Sequence, residues 1–330
     1  MSYLLKPLEN CKLILKNRLV MPPMATSKSL QDGKISKDIL DYYDEKSQGG
    51  YISLIIIEHS FITKQGKASE KQLSVADDSV VDGLKELAKV IHGNGSKTVM
   101  QINHAGSASN KDVTGYEPVG PSAIANPSRG NVPKELSIKE IKDIIREFKN
   151  AALRVKEAGF DGVEIHSAHG YLLNQFFSPL TNKRTDEYGG NLLGRIKIHL
   201  EIIKAVRDAV GNKFPILLRL AASDYMKGGI TIEDSKIAAL EFQKAGVDIL
   251  DITGGFCGYT VPGLTGQGYF SPLTESIKKV VSIPVILTGG ITDVNAAEKL
   301  LCSDKTDLIG VARAIYKDSK WAKKAIESLK

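Results

Sequence analysis

The chain has 330 residues, of which 42% are hydrophobic and 25% are charged, and its formal net charge is +6 at pH 7. These values are ordinary for a globular protein and leave ample chain for a large core. The positive charge is spread through lysine-rich segments, so nucleic acid is not an expected partner, whereas a small phosphate-bearing ligand would suit it.

The three cysteines, Cys11, Cys257 and Cys302, are far apart and form no C-x-x-C pair. We therefore expect neither a zinc knuckle nor an iron–sulfur cluster. A sparse, odd set of cysteines is typical of a reduced intracellular protein. The N-terminus lacks the apolar core of a signal peptide, and no apolar run is long enough to span a bilayer. A cytoplasmic protein without a membrane partner is therefore expected.

Eight apolar runs rich in β-branched residues predict strands, and the amphipathic patterns between them predict helices. Continuous apolar strands that alternate with helices are typical of a parallel sheet covered by helices. Eight such units in this length favour a closed (β/α)₈ TIM barrel over a doubly wound sheet. No linker divides the chain, so residues 1–330 are predicted to form a single α/β domain. The strands are predicted at 18–21, 52–57, 98–101, 162–165, 216–219, 249–252, 285–287 and 307–311, with helices at 80–92, 138–157, 195–210, 231–245 and 295–301.

Several boundaries carry their own signals. Ser137 precedes a long amphipathic pattern and Glu140 follows three residues later, which predicts a capping box. Gly159 and Gly246 are predicted to end two helices. The longest predicted loop, 103–135, holds several Gly and Pro residues and is expected to be a substrate lid, because loops of this length are usually functional.

Reactive side chains follow the predicted strands at their carboxyl ends. In a parallel barrel these ends meet at one mouth, where enzymes of this fold keep their active sites. Of the six histidines, His92 and His199 fall in helices and are expected to be surface or packing residues. The residues expected at the mouth are Pro22, Pro23, Met24, Ala25, Glu58, His59, Gln101, His104, His166, His169, Arg219, Thr253, Gly289, Gly290, Ala312 and Arg313.

Glycines after the seventh predicted strand and an arginine after the eighth indicate a phosphate site. Gly289 and Gly290 would let backbone N–H groups approach an anion, and Arg313 would supply a charged, bidentate donor. The diglycine alone could be only a turn. Together with Arg313 and Ala312, at the usual phosphate position of the fold, it favours phosphate binding.

Gln101 and Arg219 are predicted on opposite sides of the mouth. A side-chain amide can match the donor and acceptor edge of a heterocycle. A fixed guanidinium can stabilise negative charge that develops on a ring. Each could equally be a satisfied core residue.

His166, His169 and Tyr171 crowd the exit of one strand and allow three interpretations. They could be structural residues at the rim of the barrel, although two histidines and a tyrosine rarely occur together there for structural reasons alone. They could hold a carbonyl oxygen while Tyr171 delivers a proton, which requires a separate source of hydride. They could also ligate the metal of a barrel hydrolase together with Glu58, His59 and His104.

The segment 163–190, VEIHSAHGYLLNQFFSPLTNKRTDEYGG, resembles the signature of the old yellow enzyme family of FMN-dependent ene-reductases. The likeness covers essentially the whole chain. It includes NRLVMPPM at 17–24, QINHAG at 101–106, RLAASDYMKGG at 219–229, TGG at 288–290 and VARA at 311–314.

The resemblance implies non-covalently bound FMN and NADH or NADPH as electron donor. It places Gln101 at the pyrimidine edge of the flavin and Arg219 near its N1 and C2 carbonyl. The remaining cofactor contacts that it implies are Pro22, Pro23, Met24 and Ala25 against the ring, and Gly289, Gly290, Ala312 and Arg313 at the phosphate.

The resemblance also implies a two-stage reaction. A nicotinamide reduces the flavin and leaves, and a small-molecule alkene with an activating carbonyl then binds in the same place. His166 and His169 would bind the carbonyl oxygen, the flavin N5 would pass hydride to the β-carbon, and Tyr171 would protonate the α-carbon.

Three features depart from the family pattern. Ala25 stands where many members carry Thr or Cys, so the flavin O4 is expected to rely on backbone N–H or on Thr26. His59 replaces a commonly smaller residue and is expected to contribute to substrate binding. The motif MPPMAT at 21–26 resembles the branch of the family that includes the barrel domain of 2,4-dienoyl-CoA reductase. In that relative the barrel is followed by an iron–sulfur segment, which is not expected here. Electrons would then come directly from nicotinamide or from a separate protein.

Two further hypotheses stay open at this point. One is an FMN-dependent amine dehydrogenase or demethylase, and the other is a flavoprotein without turnover, which Ala25 keeps in consideration. The sequence also leaves open a homo-oligomer, the natural alkene, and the choice between NADH and NADPH.

Overall fold

The computed structural model describes residues 2–9 and 11–330. Among these residues, eight parallel strands close into a barrel in which each strand pairs with the next along the chain and the eighth pairs with the first. The prediction of a (β/α)₈ barrel is therefore confirmed. The strands are Leu19–Met21, Leu54–Phe61, Lys97–Asn103, Gly162–Ser167, Ile216–Ser223, Ile249–Gly254, Val285–Thr288 and Leu308–Gly310.

Helices follow the strands and form the outer layer. In the described part of the chain, none is both long enough and apolar enough to cross a membrane. The α-helices are Lys37–Ser47, Val81–Gly93, Lys111–Thr114, Ile138–Glu157, Leu172–Phe177, Leu192–Val210, Ile232–Ala245, Ser271–Lys278, Val294–Cys302, Arg313–Lys317 and Trp321–Glu327. Short 3₁₀ turns lie at Gln48–Gly50, Lys64–Gly66, Asp78–Val80 and Gly106–Ala108.

Several strands extend further toward the mouth than their apolar runs predicted. The second strand continues through Glu58 and His59 to Phe61, with a break in register between Ile57 and Ser60. The fifth strand continues past Arg219 to Ser223. Parallel ladders bond through the backbone, so polar side chains do not end them. The predicted ends of these two strands were therefore wrong, because the ladder continues past Glu58 and His59 in one and past Arg219 in the other.

The interior of the barrel is closed at the end opposite the mouth. Leu8, Leu13 and Leu15 of the N-terminal segment pack with inward-facing residues of the strands. Fully burying such a side chain is worth about 1.5–3 kcal/mol. This apolar plug leaves the carboxyl ends of the strands as the open end. The strand residues of this cluster are Val20, Leu54, Ile56, Val99, Leu217, Ile249, Ile286 and Leu308.

The predicted capping box is present at the start of the helix Ile138–Glu157. Ser137 Oγ accepts from the Glu140 N–H at 3.3 Å, and a Glu140 carboxylate oxygen accepts from the Ser137 N–H at 2.8 Å. The helix predicted from residue 195 instead begins at Leu192, because the side chain of Asn191 accepts from the Gly194 N–H and caps it there.

We expect Ser137→Ala to lower the free energy of unfolding by about 1 kcal/mol, because the N–H of Glu140 loses its acceptor. Denaturant unfolding followed by circular dichroism measures the change. Ser69→Ala is the matched control, since Ser69 is exposed and lies outside any cap. Equal effects of the two substitutions would contradict the capping role.

Candidate active site

A cavity of about 620 Å³ opens at the mouth of the barrel. This volume lies within the range of small-ligand and cofactor sites. Most of the residues for which the sequence predicted a catalytic, cofactor or substrate role lie in its wall. These residues are Pro22, Pro23, Met24, Ala25, His59, Gln101, His166, His169, Tyr171, Arg219, Gly289, Gly290, Ala312 and Arg313.

Four rings form a cluster on one side of the cavity. The ring of His166 contacts those of His169 and Tyr171, each edge-on with centroids 5.1 Å apart. His59 stacks on Tyr171 with centroids 5.3 Å apart and an interplanar angle of 29°. The His169 Nε2 lies 3.0 Å from the Thr253 Oγ1, and the backbone of His169 adopts the left-handed conformation with φ of 58°. The tertiary structure thus brings residues of three strands around one phenol.

Burial keeps these histidines uncharged. It lowers the pKa values of His166 and His169 well below the usual range, and the positive charge of Arg219 adds to the effect at both. Burial raises the pKa of the Tyr171 phenol, and the charge of Arg129 opposes that rise. Neutral imidazoles each offer one N–H donor, and a protonated phenol can give up a proton. The His166 Nδ1 has no hydrogen-bond partner within the described residues.

The tautomer of His59 is fixed by Gln72. The Gln72 Oε1 accepts from the Ala68 N–H at 2.6 Å, so the Gln72 Nε2 must donate. It donates to the His59 carbonyl at 3.0 Å and to the His59 Nδ1 at 2.7 Å. Burial, followed by the charge of Arg219, lowers the pKa of His59 to about 4. The proton of the neutral ring therefore lies on Nε2, on a ring that lines the cavity.

Charged and polar groups lie beneath the cavity on consecutive strands. The Gln101 Nε2 donates to the Glu164 Oε1 at 2.7 Å, which leaves the Gln101 carbonyl oxygen free as an acceptor. The Arg219 Nε lies 3.2 Å from the Asp251 Oδ2, at ion-pair distance but without the alignment of a hydrogen bond. Burial raises the pKa values of both carboxyl groups, and the charge of Arg219 opposes this.

The relative placement of Gln101 and Arg219 differs from the prediction. They lie on the third and fifth strands, separated only by the fourth, and not on opposite sides of the mouth. The order of the strands around the barrel decides how far apart Gln101 and Arg219 lie. Their separation in the sequence does not predict it.

Thr26 forms two hydrogen bonds with Glu58. The Thr26 N–H and hydroxyl both donate to the Glu58 carboxylate, at 2.8 and 2.7 Å. Both donors of Thr26 are therefore used within the protein, and a backbone N–H as the donor to the flavin O4, the alternative given above, stays a prediction. Glu58 instead anchors the segment after the first strand, where Ala25 lines the cavity.

The opposite end of the cavity is shaped by small residues. Gly290 has φ of +66°, and a Cβ there would lie 2.8 Å from the Gly266 carbonyl oxygen. A Cβ on Gly310 would lie 1.9 Å from the Thr288 Oγ1, a buried hydroxyl without a partner in the described residues. Arg313 begins the short helix Arg313–Lys317 beside these glycines. Close backbone approach, an unpartnered hydroxyl and a guanidinium form a donor set suited to a phosphate.

His104 does not reach the cavity, contrary to the prediction. It is 1% exposed, and its Nδ1 accepts from the Gly106 N–H at 3.0 Å. Within residues 2–9 and 11–330, no three His, Cys, Asp or Glu side chains are grouped so that they could hold a metal ion. The ligand set of the metal-hydrolase hypothesis is therefore not assembled. The expectation for His199 holds, since it is fully buried and lies 2.8 Å from the Ser167 Oγ.

Sequence reasoning missed cavity residues that lie in loops. Ser128 and Arg129 come from the predicted lid, 103–135, which also contains the helix Lys111–Thr114 and the paired strands Val119–Gly120 and Lys134–Glu135. The aromatic residues after the sixth strand could have been predicted to line the site, because they follow a strand at its carboxyl end. Nothing in the sequence indicated that Gln72 contacts His59. The cavity residues that were missed from the sixth-strand loop are Phe256, Cys257, Tyr259, Tyr269 and Phe270.

Comparisons with known proteins agree with this geometry. The profile of the NADH:flavin oxidoreductase / NADH oxidase family matches residues 3–330. A NADH oxidase of Thermoanaerobacter brockii is 42% identical over 96% of this chain, which spans 49% of that protein's length. A NADPH dehydrogenase of Clostridium acetobutylicum is 39% identical over 93% of this chain and 89% of its own. The solved structure of the old yellow enzyme homologue from Zymomonas mobilis superposes with a TM-score of 0.86, at 25% identity, over 99% of this chain and 93% of its own.

A barrel whose mouth carries these groups belongs to the class of flavin-dependent oxidoreductases. The chain belongs to the NADH:flavin oxidoreductase / NADH oxidase family, and the resemblance to old yellow enzyme is confirmed. Membership in this family implies FMN as the cofactor. The site fits FMN on its own geometry, since it combines a phosphate cradle, a free amide acceptor and a buried guanidinium in one cavity.

We expect the buried Glu58 carboxyl to make stability depend on pH. Burial raises its pKa from 4.5 to about 7, so the folded protein holds this proton more tightly than the unfolded chain does. The contribution of this carboxyl to the free energy of unfolding is about 3 kcal/mol. It is complete below pH 4.5 and is lost as the pH rises toward 7. Glu58→Gln should remove this part of the pH dependence.

Denaturant unfolding at pH 4.5 and at pH 7.5 measures the effect in the wild type and in each variant. Glu86→Gln is the control, because Glu86 is exposed on an outer helix. Identical pH dependence of the wild type and Glu58→Gln would refute the role given to Glu58.

Proposed function

We propose that the protein is an NAD(P)H-dependent ene-reductase that saturates a C=C bond activated by a carbonyl group. The observation that carries the proposal is the ring cluster, in which two neutral imidazoles and a protonated phenol face one cavity. Two N–H donors suit a single carbonyl oxygen, and a phenol beside them suits delivery of a proton.

The proposed cofactor residues fall into three groups, which would contact the phosphate, the polar edge of the ring and the face of the ring. Gly289, Gly290 and Arg313, together with Ala312, would hold the phosphate, and Gln101 and Arg219 would face the polar edge of the ring. The segment from Pro22 to Ala25, including Pro23 and Met24, would lie against the ring. Bound FMN supplies the two-electron chemistry that takes hydride from a nicotinamide and gives it to carbon. On this proposal residues 1–330 act as one FMN-binding unit.

His166 and His169 would bind and polarise the carbonyl oxygen of the alkene. As the β-carbon receives hydride, negative charge develops on that oxygen, and each N–H donor then strengthens its hydrogen bond. A hydrogen bond to a charged group contributes about 1.5–3 kcal/mol, which corresponds to about one to two decades in rate. Tyr171 would add the proton to the α-carbon, which completes the addition of two hydrogens. His59 would contribute a third donor, from Nε2, to the substrate.

The proposal predicts that purified protein is yellow and that NADH or NADPH bleaches it in the absence of oxygen. Enones, enoates or nitroalkenes should then restore the colour, which stopped-flow absorbance measures. Protein that stays colourless after mixing with FMN would falsify the assignment. Turnover of a small amine without any nicotinamide would instead favour a dehydrogenase or demethylase.

Tyr171→Phe should slow reoxidation by an alkene by about a hundredfold or more, because a positioned general acid is typically worth that much. Reduction of the bound flavin by NAD(P)H should change little, since that half-reaction needs no proton from the phenol. Tyr259→Phe is the matched control, as Tyr259 lines the same cavity outside the stacked pair. An equal loss in both half-reactions would show that Tyr171 is not the proton donor.

A further inference from the structure

The charged side chains that line the cavity are all positive. They are Arg129, Arg219 and Arg313, and no aspartate or glutamate lines the wall. The carboxylates nearest to the floor, Glu164 and Asp251, are fully buried beneath it. A cavity with low-dielectric walls and charge of one sign concentrates ligands of the opposite sign. The ligands of this site are therefore expected to carry more negative charge than FMN alone requires.

Two of the three arginines are accounted for by the proposed cofactor. Arg313 stands beside the phosphate cradle after the eighth strand, and Arg219 stands on the fifth strand above Asp251. Arg129 comes from a different part of the chain, the loop after the third strand, and Asn126 of the same turn donates to the carbonyl of Gly170, which lies between His169 and Tyr171, at 3.3 Å. It therefore lies on the side of the cavity where the substrate would bind.

The turn that carries Arg129 is fastened to the body of the protein. The Asn126 Oδ1 accepts from the N–H groups of Ser128 and Arg129, at 2.9 and 3.2 Å. The Asn126 Nδ2 donates to the Ser107 Oγ at 2.9 Å, and the Ser128 Oγ donates to the Phe256 carbonyl at 2.6 Å. Asn126 is 1% exposed. The backbone of Arg129 is thus fixed between two loops of the mouth.

The guanidinium of Arg129 has no counter-charge in residues 2–9 and 11–330. The arginines that form ion pairs there are Arg146, Arg154, Arg184, Arg195, Arg207 and Arg219. Arg129 uses its backbone N–H for the turn and leaves its side chain available. A guanidinium of this kind binds a carboxylate through two parallel hydrogen bonds.

We propose that Arg129 binds a negatively charged group of the alkene, so that the substrate class is an unsaturated keto acid or a similar carboxylate. The inference rests on the proposed function. The carbonyl that activates the double bond would be held by His166 and His169, while Arg129 would hold the carboxylate. Arg129 thereby acts as a specificity residue in substrate binding and takes no part in proton or hydride transfer.

A matched pair of substrates tests the inference on the FMN-loaded protein. The pair is 4-oxopent-2-enoate and its methyl ester, which share the enone and differ in charge. The measured quantity is the ratio of kcat/KM for acid over ester, so that differences in intrinsic reactivity cancel between variants. Arg129→Gln should lower this ratio by about fivefold, the upper range for an exposed ion pair. Arg129→Lys should retain most of the preference, and high salt should weaken it.

Arg146→Gln is the matched control, because it removes the same charge from the outer helix Ile138–Glu157 and should leave the ratio unchanged. A second readout does not depend on turnover. The dissociation constants of 4-oxopentanoate and its methyl ester, measured through the absorbance of the bound flavin, should show the same loss of discrimination in Arg129→Gln.

Three outcomes would overturn the inference, and they are distinct from one another. Reduction of both alkenes with an acid-to-ester ratio unchanged in Arg129→Gln would refute it and leave the ene-reductase proposal standing. A raised KM for NAD(P)H with an unchanged ratio would assign Arg129 to the phosphates of the nicotinamide. Failure of the wild type to reduce either alkene, although the flavin bleaches with NAD(P)H, would refute the proposed function and this inference with it.

Discussion

Compensation of buried charge beneath the barrel mouth is the constraint on which the site depends. Arg219 is only 5% exposed, and Asp251 and Glu164 are fully buried. Each of these groups would be costly alone, and removing one partner of a buried pair typically costs about 3–5 kcal/mol. The guanidinium is therefore held where the carboxylates are, and Gln101 is oriented by Glu164. Gln101 and Arg219, which face the cavity, are thus held in place by buried carboxyl groups beneath them.

The same burial sets the protonation states of the groups above the network. Removal from water disfavours imidazolium and phenolate alike, so His59, His166 and His169 are neutral donors and Tyr171 keeps its proton. The positive charge of Arg219 acts in the same direction on the histidines. A site assembled this way offers hydrogen-bond donors and a proton source together at neutral pH, and no metal ion is required to create them.

Individual side-chain contacts define the cavity within the barrel of the family. The barrel itself superposes on that of the old yellow enzyme homologue from Zymomonas mobilis with a TM-score of 0.86. His59 with its fixed tautomer and the Glu58 anchor of Thr26 define how this chain lines the common cavity. Arg129 adds a charge at its entrance. His59 and Arg129 line the cavity directly, whereas Glu58 acts on its wall through Thr26.

The barrel could be predicted from the amino-acid sequence, because eight apolar runs that alternate with amphipathic helices have few other ways to bury their surfaces. Many residues of the cavity wall could also be predicted, since the carboxyl ends of parallel strands must converge, but those from the loops could not. The ends of the second and fifth strands were misplaced, because backbone ladders continue past polar side chains. The contacts between side chains followed only from the folded chain. Gln72 on His59, Glu58 on Thr26 and the distance between Gln101 and Arg219 depend on how separate segments fold against one another. His104 shows the same limit, since its position after the third strand did not reveal that its ring turns away into the wall of the barrel.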